Sequence, residues 1–245
     1  MRVFLRYNLV RYVTVVPLKG DGEKGDGARA TARTVTTMGV RLLARTTTSP
    51  LSLLEQRLEA LGSRPTGRHK TMCSYMRPRA EKSGLQEIFD IAPSETGERY
   101  LVSHASDGAI RVLRAGSGIA AIIDATNTHT SRVKVSLEGH THACGDFVIR
   151  ASQFFHNGKL SGVCVELEYL PCGLAAAAAA PLQALLDRLL PEAERDFCSA
   201  SSECFSGVLD LPQLVGPEHS ALLLVGLLRS RVLMTAFGDR QATTT

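Results

Sequence analysis

Apolar residues that recur every second position mark strands, and recurrence at three and four marks helices. Between Ser161 and Cys172, Val163, Val165, Leu167 and Tyr169 alternate with Cys164, Glu166 and Glu168. An extended chain here carries an apolar row on one face and two carboxylates on a solvated face. Upstream, Asp146–Ser152 reads as another strand, and Asn157 with Gly158 accepts the positive φ angles of a tight turn. The two runs predict a β-hairpin. Downstream, Pro171 and Gly173 stop the strand. The alanines 175–180, with Leu182, Leu185, Leu186, Leu189 and Leu190, then predict a helix folded back onto the sheet and ended by Pro191.

Earlier in the chain, Val40–Arg45 predicts a first strand. Ser49 as N-cap and Pro50 at the first helical position open a helix in which Leu51, Leu54, Leu58 and Leu61 form one buried stripe, stopped at Gly62. Arg64 to Lys82 is basic but holds Tyr75 as its only aromatic, and reads as a solvated loop and edge with a strand at Lys70–Met76. Ser83–Glu98 has no period and reads as a surface insertion. Tyr100–His104, Ala109–Ala115 and Ile119–Ala125, separated by glycine turns, predict an antiparallel meander, and Val133, Val135 and Leu137 mark a further strand within Ser131–Cys144.

Phe197–Gly216 has no readable pattern, whereas Glu218–Met234 predicts a helix with two apolar sides. Ala221, Leu224, Val225, Leu228 and Val232 form one stripe; Leu223, Leu227 and Met234 fall near the opposite side. The second side needs a cover, either more of this chain or another subunit, which makes Leu223, Leu227 and Met234 the candidate partner interface.

A length of 245 residues and 44% apolar content suit one domain with a sizeable core and an appendage. The net charge of +4 resides in residues 1–37, where Arg2, Arg6, Arg11, Lys19, Lys24, Arg29 and Arg33 face only Asp21, Glu23 and Asp26. The remainder is balanced, so basicity does not point to DNA binding. The leader has the arginine bias of a transit peptide but is rich in valine and poor in serine; it reads as an extension ahead of a start at Met38. Gly20, Gly22 and Gly25 spell GxGxxG, yet the Thr-rich segment that follows lacks helical spacing, so Gly20–Gly27 reads as a linker. Six cysteines without a CxxC pair indicate free thiols in a reducing compartment. No apolar run reaches the roughly 18–20 residues of a membrane span.

Three signals bear on chemistry. His140, His142 and Cys144 lie two apart and would share one strand face, as zinc ligands can, but a fourth ligand is not identifiable and a polar strand edge is preferred. Glu166 and Glu168 on one face are what a tunnel-type triphosphatase uses to hold a divalent ion, although Cys164 stands where a third acid would extend the row. Neither GxSxG nor a P-loop GxxxxGK[ST] occurs.

The serial order of these segments resembles Mediator complex subunit 20, of the head module of the RNA polymerase II coactivator. It runs from Met38, Gly39 and Val40 through LLEQRLEALGS, YLVSH, IIDATN and DFVIR into SGVCVELEYLPC, and covers most of Met38–Met234, with a shortened segment after Asn127. The resemblance implies that the sheet curls into a barrel, giving an α+β fold, an antiparallel β-barrel-like sheet with packed helices. It also implies a nuclear, non-catalytic scaffold without cofactor or metal, pairing with Mediator subunit 18 and other head subunits and supporting regulated transcription; no membrane association and no direct DNA binding are expected. The rival expectations are a metal-dependent triphosphatase-like tunnel enzyme and a nucleic-acid-binding protein. The expected organisation is an extension and glycine-rich linker (1–37), the subunit 20-like domain (38–237) and a polar tail (238–245).

Overall fold

The computed structural model describes residues 13–14, 39–80, 85–104, 110–200 and 216–233, with backbone only at 13, 14 and 104. Its strands are β1 (Val13–Thr14), β2 (Val40–Thr46), β3 (Arg64–Pro78), β4 (Ile88–Pro93), β5 (Glu98–His104), β6 (Ile110–Gly116), β7 (His129–Cys144), β8 (Phe147–His156), β9 (Lys159–Tyr169) and β10 (Phe197–Ala200). The helices are α1 (Leu51–Ala60), α2 (Ile119–Thr126), α3 (Ala175–Leu189) and α4 (Pro217–Leu227), the last continued by a π-helical turn at Leu228–Leu233. The linker glycines, Cys204, Met234 and the tail lie outside the described residues.

All strands join one sheet in the order β1-β6-β5-β4-β3-β7-β8-β9-β2-β10, antiparallel except for the β1–β6 pair. The expected barrel closure is not observed: β1 and β10 are the two ends and do not pair with each other. The sheet is nevertheless curled. α4 contacts β5 and β2, which stand six strand steps apart. Six steps would span roughly 29 Å in a flat sheet, while a helix is about 10–12 Å across. Only a trough lets one helix touch both.

The trough holds one core, in which Leu222, Leu223, Leu224 and Leu227 of α4 meet Tyr75, Phe89, Tyr100, Val112, Val135 and Phe154. On the outer face a second core joins Leu54 and Leu58 of α1, Leu182, Leu186 and Leu189 of α3, and Val163, Val165 and Leu167 of β9. The predicted hairpin forms between β8 and β9, with Asn157 at φ 48° and Gly158 at φ 79° in its turn.

Five local expectations are corrected. Ile119–Ala125 is helix α2, not a strand; Ile119, Ile122 and Ile123 recur at helical spacing, and Asn127 in the left-handed region ends the helix. The supposed insertion 83–98 contains β4, and the basic stretch from Arg64 is strand β3 rather than a loop. Ser49 does not cap α1; its hydroxyl donates to Glu194 instead. Leu223 and Leu227 are only 1% and 0% exposed, so α4's second apolar side is covered by the trough and those residues do not form a free partner surface.

Candidate functional site: a buried charge brace under helix α4

Because Val163, Val165 and Leu167 turn outward to α1 and α3, Cys164, Glu166 and Glu168 turn into the trough. They are not on a solvated face: Glu168 is 5% exposed. Register explains how two acids are tolerated there. Arg41 of β2 stands opposite Glu168, and Arg150 of β8 stands opposite Glu166.

Arg41 Nη1 lies 2.7 Å from Glu166 Oε1 and its Nη2 lies 2.9 Å from Glu168 Oε2. Arg150 Nη1 reaches the same oxygens at 3.4 and 3.1 Å, and its Nη2 lies 3.5 Å from Glu95 Oε2. Glu95 Oε1 is 3.1 Å from His69 Nδ1. The Gly39 N–H donates to Glu168 Oε1 at 3.2 Å, and Arg41 Nη1 donates to Ser220 Oγ of α4 at 2.7 Å. A cavity of about 140 Å³ adjoins the cluster, lined in part by Arg41, His69, Glu95, Arg150, Glu166 and Ser220.

Burial alone would raise the Glu166 carboxyl, but Arg41 and Arg150 outweigh it and hold it below the usual carboxylate range. The hydrogen bond from His69, helped by the Arg150 charge, holds Glu95 at about 2. Burial lowers Arg150, yet Glu166, Glu95 and Glu168 leave it above the ordinary guanidinium value. All three carboxylates are engaged by cationic or imidazole partners from neighbouring strands. The arrangement is a brace that fastens β2, β8 and β9 to each other and to the start of α4.

The other predicted candidates each meet a partner of their own on or just after α1. His140 faces Glu55 at 3.8 Å, the His142 Nδ1 lies 3.5 Å from Ser63 Oγ, and the Cys144 thiol points to the Leu61 carbonyl at 3.8 Å. Among the described residues, no group of three or more His, Cys, Asp or Glu is placed to hold a metal ion. Cys73, Cys144, Cys164 and Cys172 are free thiols, and burial pushes Cys73 and Cys164 up. No helix among the described residues is long and apolar enough to cross a membrane.

Sequence reasoning missed Arg41, Arg150, Glu95, His69 and Ser220. A usable signal was present in the strands VRLLART and FVIRASQFFH, where arginine interrupts an apolar run. A cation at such a position needs a buried partner.

The model of the family described as TATA-binding related factor (TRF) of subunit 20 of Mediator complex matches residues 38–225. No curated protein matches the chain at a significant level. Among solved structures, the PH1012 protein from Pyrococcus horikoshii OT3 is 11% identical over 65% of this chain and 94% of its own, with a TM-score of 0.44. The Schizosaccharomyces pombe Mediator head module is 13% identical over 66% and 97%, with a TM-score of 0.38. The S. pombe Pct1 RNA triphosphatase is 10% identical over 63% and 83%, with a TM-score of 0.32. The family match takes in both strands of the hairpin, all the brace residues and most of α4, and the chain belongs to the Mediator subunit 20 family.

Proposed function

We propose that this Mediator subunit is a non-catalytic, nuclear scaffold that pairs with Mediator subunit 18, contacts other head subunits and supports regulated transcription by RNA polymerase II. The observation that carries the non-catalytic reading is the brace. A triphosphatase tunnel needs carboxylates open to a divalent ion and cations open to phosphate. Here Glu166 and Glu168 are bound by Arg41 and Arg150, and Arg41 is further engaged by Ser220. The same residues hold α4 in the trough, which favours a rigid body suited to assembly.

Co-expression of the full chain with subunit 18 of the same organism, followed by size-exclusion chromatography, tests the pairing. A stable one-to-one complex is expected; a chain that ignores subunit 18 overturns it. Phosphate release from inorganic triphosphate with Mg²⁺ or Mn²⁺ tests the absence of catalysis. Metal-dependent release that disappears in Glu166→Gln would make the protein an enzyme.

A further inference from the structure

We propose that the outer face of the sheet over β3, β4, β5, β6 and β7, extended at one corner by Phe155 of β8 and Leu160 of β9, is a docking surface for an acidic, amphipathic peptide segment of another protein. The outer core is built on β2, β8 and β9 with α1 and α3, and β3, β4, β5 and β6 contribute nothing to it. On these strands Cys73, Tyr75, Phe89, Ile91, Tyr100, Val102, Ile110 and Val112 turn into the trough, so the residues between them face outward.

Strand register lines up the outward residues in two rows. One runs Leu160, Phe155, Ser136, Met72 and Ala92; the next runs Lys134, Ser74, Asp90, Leu101 and Leu113. Met72, Leu101, Leu113, Phe155 and Leu160 belong to neither core, and Met72 and Leu160 are 41% and 58% exposed. Five strands span about 19 Å, the length of roughly three to four helical turns.

Charge selects the occupant. Both outward carboxylates are already engaged, Asp90 by Arg99 and Glu138 by Lys70. Arg68, Arg111 and Lys134, outward on β3, β6 and β7, have no ion-pair partner among the described residues. An apolar strip with single cations beside it complements a segment that carries bulky apolar residues flanked by Asp or Glu. A second copy would set these cations against like charges. Nucleic acid would call for a denser cation row with stacking aromatics, and Phe155 is the one aromatic in the two rows. The surface lies on the opposite side of the sheet from the brace, and the proposal does not depend on pairing with subunit 18.

The test is fluorescence anisotropy of the full chain with a labelled synthetic peptide of about 16 residues, carrying Leu and Phe at helical spacing and Glu or Asp between them. A peptide with Lys in place of the acids and a labelled DNA duplex serve as comparators. Saturable binding of the acidic peptide is expected, weakened by salt and by roughly tenfold or more in both Lys134→Glu and Met72→Asp, but unchanged in Arg188→Glu on α3. Both test positions are exposed, and an unchanged urea midpoint verifies that the variants fold. No saturable binding, equal binding of the Lys peptide, or binding indifferent to both variants overturns the proposal. DNA binding lost in the same variants would assign the face to nucleic acid, and self-association abolished by Met72→Asp would assign it to a second copy; either result also overturns it.

Discussion

Arg41 reaches from the sheet to Ser220 on α4, with Nη1 2.7 Å from the hydroxyl oxygen, while the same atom holds Glu166 at 2.7 Å. One guanidinium thus joins the hairpin to the helix that fills the trough. Arg41→Met removes a cation from a site where both carboxylates remain buried. Breaking one side of such a pair costs about 3–5 kcal/mol, whereas replacing both sides with apolar residues is closer to neutral. Urea denaturation of Arg41→Met, Glu166→Met and Arg41→Met/Glu166→Met is expected to show the double variant less destabilised than the sum of the two single variants. Additive losses would mean that the two residues act separately.

Acid should weaken the protein in two stages. His219 at the start of α4 accepts a hydrogen bond from the Gly216 N–H at 2.8 Å on Nδ1, and burial depresses its pKa below the ordinary 6.5. Its folded pKa is the lower one, so its contribution is complete above 6.5 and is lost as pH falls through the folded value. Glu95, held at about 2 against an ordinary 4.5, contributes fully above 4.5 and loses that contribution as pH falls toward 2. Urea midpoints measured against pH should therefore decline first below 6.5 and again below 4.5. His219→Gln should reduce the first decline, which it shares with the burial-depressed His142 and His156, and Glu95→Gln the second, which it shares with Glu166 and Glu194; unchanged profiles would remove both residues from the account.

Gly139 of β7 stands where a Cβ would lie 1.9 Å from the Ala151 carbonyl oxygen of β8. That oxygen is backbone and cannot swing aside, so Gly139→Ala must push two central strands apart. A loss of more than about 2 kcal/mol is expected. Gly67→Ala, on β3 with nothing within 4 Å of the added carbon, is the control and should leave the thermal midpoint nearly unchanged.

Leu223→Ala and Leu227→Ala distinguish core from interface. Both side chains are buried by this chain alone, so each truncation should cost the isolated protein about 2–5 kcal/mol in chemical denaturation. Full stability in the isolated chain, with loss appearing only in assembly, would return these leucines to a partner surface.

The hairpin, α1, α3 and the pairing of β5 with β6 were legible because each rests on local period and turn chemistry, as at Asn157–Gly158. α2 was misread although Ile119, Ile122 and Ile123 carried its helical spacing; the glycine turn before it suggested a third meander strand. The alternation of Val163, Val165 and Leu167 with Glu166 and Glu168 was plain. What lay over the acidic face was not, because it depends on Arg41 and Arg150 arriving in register from other strands and on α4 lying in the trough. The two apolar sides of α4 were likewise visible, but which cover they receive is settled by the curl of the sheet, a property no single segment encodes.

The position of β2 between β9 and β10 imposes an order on biosynthesis. Arg41 and Glu166 are separated by 125 positions. At ribosomal speeds of ~5–20 residues per second, the first long strand waits roughly 6–25 seconds after its own synthesis before the strand it pairs with is made. During that interval its hydrogen-bonding edges and the apolar residues Leu42 and Leu43 lack their native cover. A nascent chain of this kind is a natural client for a ribosome-associated chaperone, and its yield in a foreign host should follow translation speed over residues 47–169 more closely than the stability of the finished fold.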